Sequence, residues 1–172
     1  GDAQRWIELG LSPLRSKDQA VIGRIVTLRD VTVRRQAGER LRELYRAVEA
    51  SPVSIVITDL DGRIQYVNPK YSAVSGYSLP EVKNSRIVNA DETLPESQRQ
   101  LWDTITSGRE WHGEICNRKK SGELYWENAS ISPILDAGGQ ITNYVVVKED
   151  ITERRRMQEQ LQVKNKYLSI LH

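Results

Sequence analysis

The feature that most constrains this chain is an internal repeat: two stretches match without a gap at an offset of 120 residues. Trp6 matches Trp126, Ser12-Pro13 matches Ser132-Pro133, and Val26 matches Val146. Asp30-Val31-Thr32 lines up with Asp150-Ile151-Thr152, and Arg34-Arg35, Glu39 and Leu41 with Arg154-Arg155, Glu159 and Leu161. Chance similarity between two amphipathic stretches would not keep Trp, Pro and Asp in one register. The first copy holds only the last part of the unit, whereas a long stretch precedes the matching part of the second. The expected organisation is therefore 1–33, the C-terminal strands of a truncated unit; 34–48, a linker helix; 49–150, a complete unit; and 151–172, a coiled-coil or signalling helix. Strands in 3–30 lack their unit's other strands, so their edges are open to the intact sheet or another chain.

The complete unit reads as α+β. Residues 53–58 alternate as a strand, Asp61-Gly62 is a hairpin turn, and residues 63–67 answer it. Asn68-Pro69 supplies a cap and a first-turn proline, and Ser78-Leu-Pro-Glu81 is a capping-box pattern, so short helices are expected from 69 to about 90. A longer helix should start at Pro95, with Leu101, Trp102 and Ile105 on one face, and stop at Gly108. Three strands follow, Trp111 to Arg118, Leu124 to Ile134 and Ile141 to Glu149, separated by Ser121-Gly122 and Gly138-Gly139 turns. This order predicts a five-stranded antiparallel sheet with short helices on one face, flanked by N- and C-terminal linker helices.

Both linkers carry a heptad stripe: Ala37, Leu41, Leu44 and Val48, then Met157, Leu161, Lys164, Leu168 and Leu171. Each stripe begins seven residues after its Asp, at Asp30 or Asp150. Such short stripes suit a lone helix packed on its own domain or a parallel dimer, and two of them favour the homodimer.

Composition narrows the function. The 25 Lys and Arg against 23 Asp and Glu are too balanced to suggest nucleic acid as a partner. No apolar run reaches the roughly 20 residues of a membrane span, so no membrane contact is expected here. One cysteine, Cys116, rules out a disulfide framework and suits the reducing cytoplasm, as does the lack of a secretory signal at Gly1. Histidine occurs only as His112, read as a surface residue, and His172. With no nucleophile motif, phosphate loop or ligand cluster, no catalytic or metal residue is assigned.

The run Ala50 to Pro69, with Ser75-Gly-Tyr-Ser78, Trp111-His-Gly-Glu114, Asn117-Arg-Lys-Lys-Ser-Gly122 and Asp150-Ile-Thr152, resembles a PAS domain. The N-terminal copy then resembles the last two strands of a preceding PAS domain. Lys164 to Leu171 resembles the opening of the dimerisation helix of sensor histidine kinases, implying a kinase domain in the parent chain as partner and a parent that is membrane-anchored or not. The family places a Ser before the phosphoacceptor, whereas His172 follows Leu171 directly, so His172 is not assigned that role.

The resemblance extends to flavin-binding PAS domains around Lys83-Asn84, Trp111-His-Gly-Glu114 and Asn117-Arg-Lys-Lys120. It implies a pocket for FAD or FMN built from Trp111, Asn84, Asn117 and Glu127, an apolar slot with polar partners for a pyrimidine edge. The bland alternative makes Trp111 a packing residue and has the asparagines cap turns or face solvent. Haem is disfavoured because the 95–108 helix has no His. Cysteinyl-flavin adduct chemistry is excluded because Ser85 stands in the light-sensing motif's cysteine position, with Asn89, Glu127 and Lys148 replacing Gln, Asn and Gln. Cys116 reads as a buried, unreactive thiol. Asp150 or Thr152 should cap the outgoing helix, with Glu153 complementing its dipole, while Arg154-Arg-Arg156 reads as a solvated face. Asp150, Thr152, Leu161 and Leu168 are the expected signal-coupling residues. The readings that emerge are a signal-relay domain without catalysis of its own, a flavin redox sensor, or a ligand-free dimerisation scaffold.

Overall fold

A computed structural model describes residues 4–87 and 95–170. The chain divides into two units, Gly1–Ala47 and Val48–His172. In the first, strands β1 (Ile7–Arg15) and β2 (Val21–Asp30) pair antiparallel, and helix α1 (Thr32–Glu49) begins directly after them. Leu9, Leu11, Ile22 and Leu28 are exposed on this two-stranded ribbon.

The second unit contains β3 (Ser54–Thr58), β4 (Ile64–Val67), α2 (Pro69–Ser75), α3 (Leu79–Val82), α4 (Pro95–Thr106), β5 (Trp111–Arg118), β6 (Leu124–Leu135), β7 (Ile141–Asp150) and α5 (Thr152–Ile170). The strands form one five-stranded antiparallel sheet, as predicted, and its order is β4-β3-β7-β6-β5. The linker helices start two residues earlier and one residue later than expected, at Thr32 and Thr152.

The repeat is visible in strand register. Pairing of β1 with β2 runs from Ile7↔Asp30 to Arg15↔Val21, with an irregularity at Leu14/Arg15. Pairing of β6 with β7 runs from Glu127↔Asp150 to Leu135↔Ile141, with the irregularity at Ile134/Leu135. Every partner in the second copy is its counterpart in the first, shifted by 120.

Alternation along the strands puts Val56, Ile131, Tyr144 and Val146 on the helix-covered face, where Leu101 and Ile105 of α4 and Tyr71 of α2 complete the core. Trp102 meets Tyr144 edge to face at 6.4 Å between centroids. Gly62 takes φ +75° under the Trp102 ring, where a Cβ would overlap that ring, so the Asp61-Gly62 turn needs glycine twice over.

Asn68 fixes how the chain enters this core. Its Oδ1 accepts from the backbone N–H of Ile55 (2.9 Å) and Tyr71 (3.1 Å), capping α2 as the sequence predicts. Its Nδ2 donates to the carbonyls of Val48 (3.2 Å) and Val53 (3.0 Å). The fully buried amide thus ties the last turn of α1 to β3 and α2. Tyr66 adds a hydroxyl bond to Glu49 in that same turn. The Ser78 capping box forms with Glu81, whose Oε2 accepts from Ser78 N (2.9 Å) and Oγ (2.7 Å). Asn89, Leu171, His172 and the side chain of Leu168 lie outside the described residues.

Candidate functional site: a charged cavity and a helix clip

On the inner face of β6 and β7, among Tyr125, Ala129, Ile131, Tyr144 and Val146, stand two charged residues. Glu127 is 1% exposed and Lys148 4%. Lys148 Nζ lies 3.0 Å from Glu127 Oε2, which also accepts from Asn117 Nδ2 at 2.5 Å. The Tyr125 hydroxyl hydrogen-bonds the same carboxylate; burial, then the Glu127 charge, pushes its pKa far above the usual tyrosine value. Lys148 also sits 6.0 Å above the Tyr71 ring. Sequence reading named Glu127 as a flavin contact and as a departure from the family pattern, and Lys148 as a departure, without joining the two. Two opposite charges at inward positions of adjacent strands were the available signal of a pair.

Lys148 and Asn117 line a cavity of about 320 Å³ between the sheet and helices α2 and α3. Ile64, Val82 and Ile87 give it an apolar wall, while Arg86 and Arg118 line it from exposed positions. Glu81 at its rim is bound by Lys120 of the β5–β6 turn, and the Lys120 amide donates to Ser75 O (2.9 Å). Lys120 and the Ser78 bonds hold the Glu81 carboxyl at about 2, against a usual 4.5.

The four predicted flavin contacts do not converge on this cavity. Asn117 lines it, but its amide is donated to Glu127, which lies behind Lys148. Trp111 packs against the core and over Gly113, where a Cβ would overlap its ring. Asn84 is exposed in a left-handed turn (φ +66°), and its carbonyl accepts from Arg63 Nη1 at 3.1 Å. The bland alternative for Trp111 and Asn84 describes their contacts. An isoalloxazine edge needs unengaged amide partners, and Asn117, Glu127 and Lys148 are engaged with one another, so this arrangement does not fit a flavin. Ser85 Oγ is also engaged, donating to Val82 O at 2.6 Å. His112 is exposed, as expected, and Cys116 is half-buried, less enclosed than predicted because it lies on the outer sheet face opposite Trp126.

That outer face carries the second feature. Asp150 accepts from Thr152 N (2.9 Å), capping α5. The Thr152 hydroxyl reaches back to accept from Trp126 N (2.9 Å), and Ile151 N donates to Trp126 O (2.9 Å). Arg155 lies 3.9 Å above the Trp126 ring and binds Glu114 Oε2 at 2.7 Å. The expectation of a solvated arginine face therefore fails at Arg155, which the Trp126 ring and Glu114 draw onto the sheet, and holds for the exposed Arg154 and Arg156. Glu153 occupies the first turn of α5, as predicted.

The first copy reproduces this clip. Asp30 accepts from Thr32 N (2.9 Å), Thr32 Oγ1 from Trp6 N (2.8 Å), and Trp6 O from Val31 N (2.9 Å). Arg35 covers the Trp6 ring at 4.2 Å. Both Trp–Arg stacks were missed, although the offset that matched Trp6 with Trp126 also matched Arg35 with Arg155. Leu41 and Leu44 of the α1 stripe and Met157 and Leu161 of the α5 stripe are exposed, whereas Val48, in the last turn of α1, is half-buried.

A five-stranded antiparallel sheet in the order β4-β3-β7-β6-β5, helices on one face and a cavity between the layers define an α+β module with room for a ligand. Residues 52–153 match the PAS domain family model, and the chain belongs to the PAS family. It is 29% identical over 119 residues to a nitrogen fixation regulatory protein of Klebsiella oxytoca, covering 68% of this chain and 24% of that protein. It is 31% identical over 129 residues to a blue-light-activated histidine kinase of Brucella canis, covering 72% of this chain and 26% of the kinase. The chain thus spans about a quarter of the length of these curated relatives. An RNA-binding Light-Oxygen-Voltage receptor shares the fold at TM-score 0.68 and 21% identity, over 96% of this chain and 44% of its own. No helix among the described residues is long and apolar enough to cross a membrane.

Proposed function

We propose that this chain is a signal-relay PAS module of a sensor histidine kinase, passing a change in its core, or in a preceding domain of which 1–33 is the tail, to dimeric linker helices. The duplicated clip carries this reading. Two helices that begin with the same Trp, Asp, Thr and Arg contacts share one way of leaving a sheet. In β6 the clip residue Trp126 stands between Tyr125 and Glu127, which face the core, so a shift of the strand moves both faces together. The homodimer forms through the Leu41 and Leu161 stripes, and the module has no catalysis of its own. In a fusion that continues α5 into a kinase, Leu161→Glu with Leu168→Glu should turn the dimer into a monomer by sedimentation and uncouple kinase output. An unchanged dimer with unchanged output would sink the reading. Flavin in the cavity draws support from the blue-light relative, against the poor fit of Asn117 and Glu127. Visible flavin absorbance in freshly purified protein would restore it, and a colourless protein that releases no flavin would end it.

A further inference from the structure

The Glu127–Lys148 pair is not needed to hold the two strands in register. At the positions 120 residues earlier the first copy has Ile7 and Leu28, and β1 and β2 pair in the same register with them. Burying two charges costs several kcal/mol per ion before their attraction offsets it. In the first copy Ile7 and Leu28 are exposed, whereas Glu127 and Lys148 are buried, so a charged pair that strand register does not require is held inside the core and points to a further role.

Lys148 is the cation of that pair that lines the cavity. An ammonium has three donors, and among the described residues Glu127 is the anion it meets. Arg86 and Arg118 add two more cations, while Glu81, the one anion among the described lining residues, is held by Lys120. The described lining therefore holds more cations than anions, with tyrosine rings and Ile64, Val82 and Ile87 to receive an apolar body. Its volume of about 320 Å³ is at the lower end of ligand pockets, which suits a small ligand. Glu127 directly behind the ammonium disfavours a multiply charged phosphate.

We propose that this cavity binds a small organic carboxylate, with the Lys148 ammonium as its buried charge partner and Arg86 and Arg118 at the mouth. The proposal stands apart from the relay reading, because it is tested by binding rather than by dimerisation or kinase output. The 172-residue protein would be titrated with benzoate and succinate, with benzyl alcohol as the neutral probe and inorganic phosphate as the competing anion, following backbone amide NMR signals. Saturable shifts at Ile64, Asn117 and Lys148 are expected with at least one carboxylate and not with benzyl alcohol. Glu127→Gln with Lys148→Met, which removes both charges together, should weaken binding by about tenfold or more, and Arg86→Gln by a few-fold. Should the double variant fail to fold, the exposed Arg86→Gln decides. No saturable carboxylate shift, equal binding of benzyl alcohol, tighter binding of phosphate, or unaltered affinity in the variants would each overturn the proposal.

Discussion

Replacing Glu127 by Ile and Lys148 by Leu gives the second copy the residues that the first copy already carries at 7 and 28. The single substitutions and the double should differ sharply. Lys148→Leu leaves the Glu127 carboxylate, 1% exposed, without its counter-charge, although Asn117 and Tyr125 still bind it. Breaking one side of a buried pair in this way costs about 3–5 kcal/mol. Glu127→Ile leaves an ammonium that lines the cavity and gains access to water, so its cost should fall nearer 3 kcal/mol. In the double variant both burial penalties disappear, a gain of about 1–4 kcal/mol in comparable replacements. Against that stands the Tyr125 hydroxyl, whose lost acceptor costs about 1–3 kcal/mol, while Asn117 can turn to water in the cavity. The double variant should therefore lie within about 2 kcal/mol of the parent, far from the sum of the singles. Urea unfolding of all four proteins, with slopes checked for equality, gives the cycle directly. Singles that each cost under about 1 kcal/mol, or a double whose cost equals the sum, would refute the reasoning that this pair is buried, coupled and dispensable to the fold.

Three further outcomes follow from other contacts. Asn68→Ala removes four hydrogen bonds of a fully buried amide and should cost about 3 kcal/mol or more in the same assay, with faster amide exchange at Ile55 and Tyr71. Arg155→Ala uncovers Trp126 and frees Glu114, and should cost about 1 kcal/mol while raising amide exchange in the first turn of α5; the matching Arg35→Ala should do the same in the first turn of α1. Because the folded Glu81 carboxyl titrates near 2 instead of 4.5, its contribution is present above about pH 4.5 and lost as pH falls toward 2. Glu81→Gln should therefore flatten the acid limb of the stability curve in that window and leave its neutral region without slope.

Local rules made most of the architecture legible. Alternation located the five strands, Asp61-Gly62 and Gly138-Gly139 located turns, and Asn68 and Ser78 announced helix starts, because each signal lies within a few residues of the structure it dictates. Helix ends drifted by one or two residues, where Thr32 and Thr152 let the backbone begin coiling directly after the strand. The site was less legible. Whether Asn117 faces a ligand or donates to Glu127 depends on a partner ten residues away across a hairpin, and no spacing rule states it. Asn84 matched a family pattern in sequence, but its left-handed turn places it on the surface. Arg155 looked like part of a charge run because its aromatic partner lies 29 residues back, although Trp126 had already been singled out.

The offset of 120 also makes the chain behave as exchangeable cassettes. Excising 31–150 would join Asp30 directly to Ile151-Thr152, and Trp6 would then stand at the same separation from Arg155 as Trp126 does from Arg155 with one whole cassette removed. The outgoing helix would leave its strand with its angular setting unchanged, since an α-helix turns about 100° per residue and no residue has been added between Asp and stripe. Removing one whole unit of 120 residues thus leaves the phase of the stripe unchanged, whereas a single residue inserted after Asp150 would turn every downstream stripe residue by about 100°.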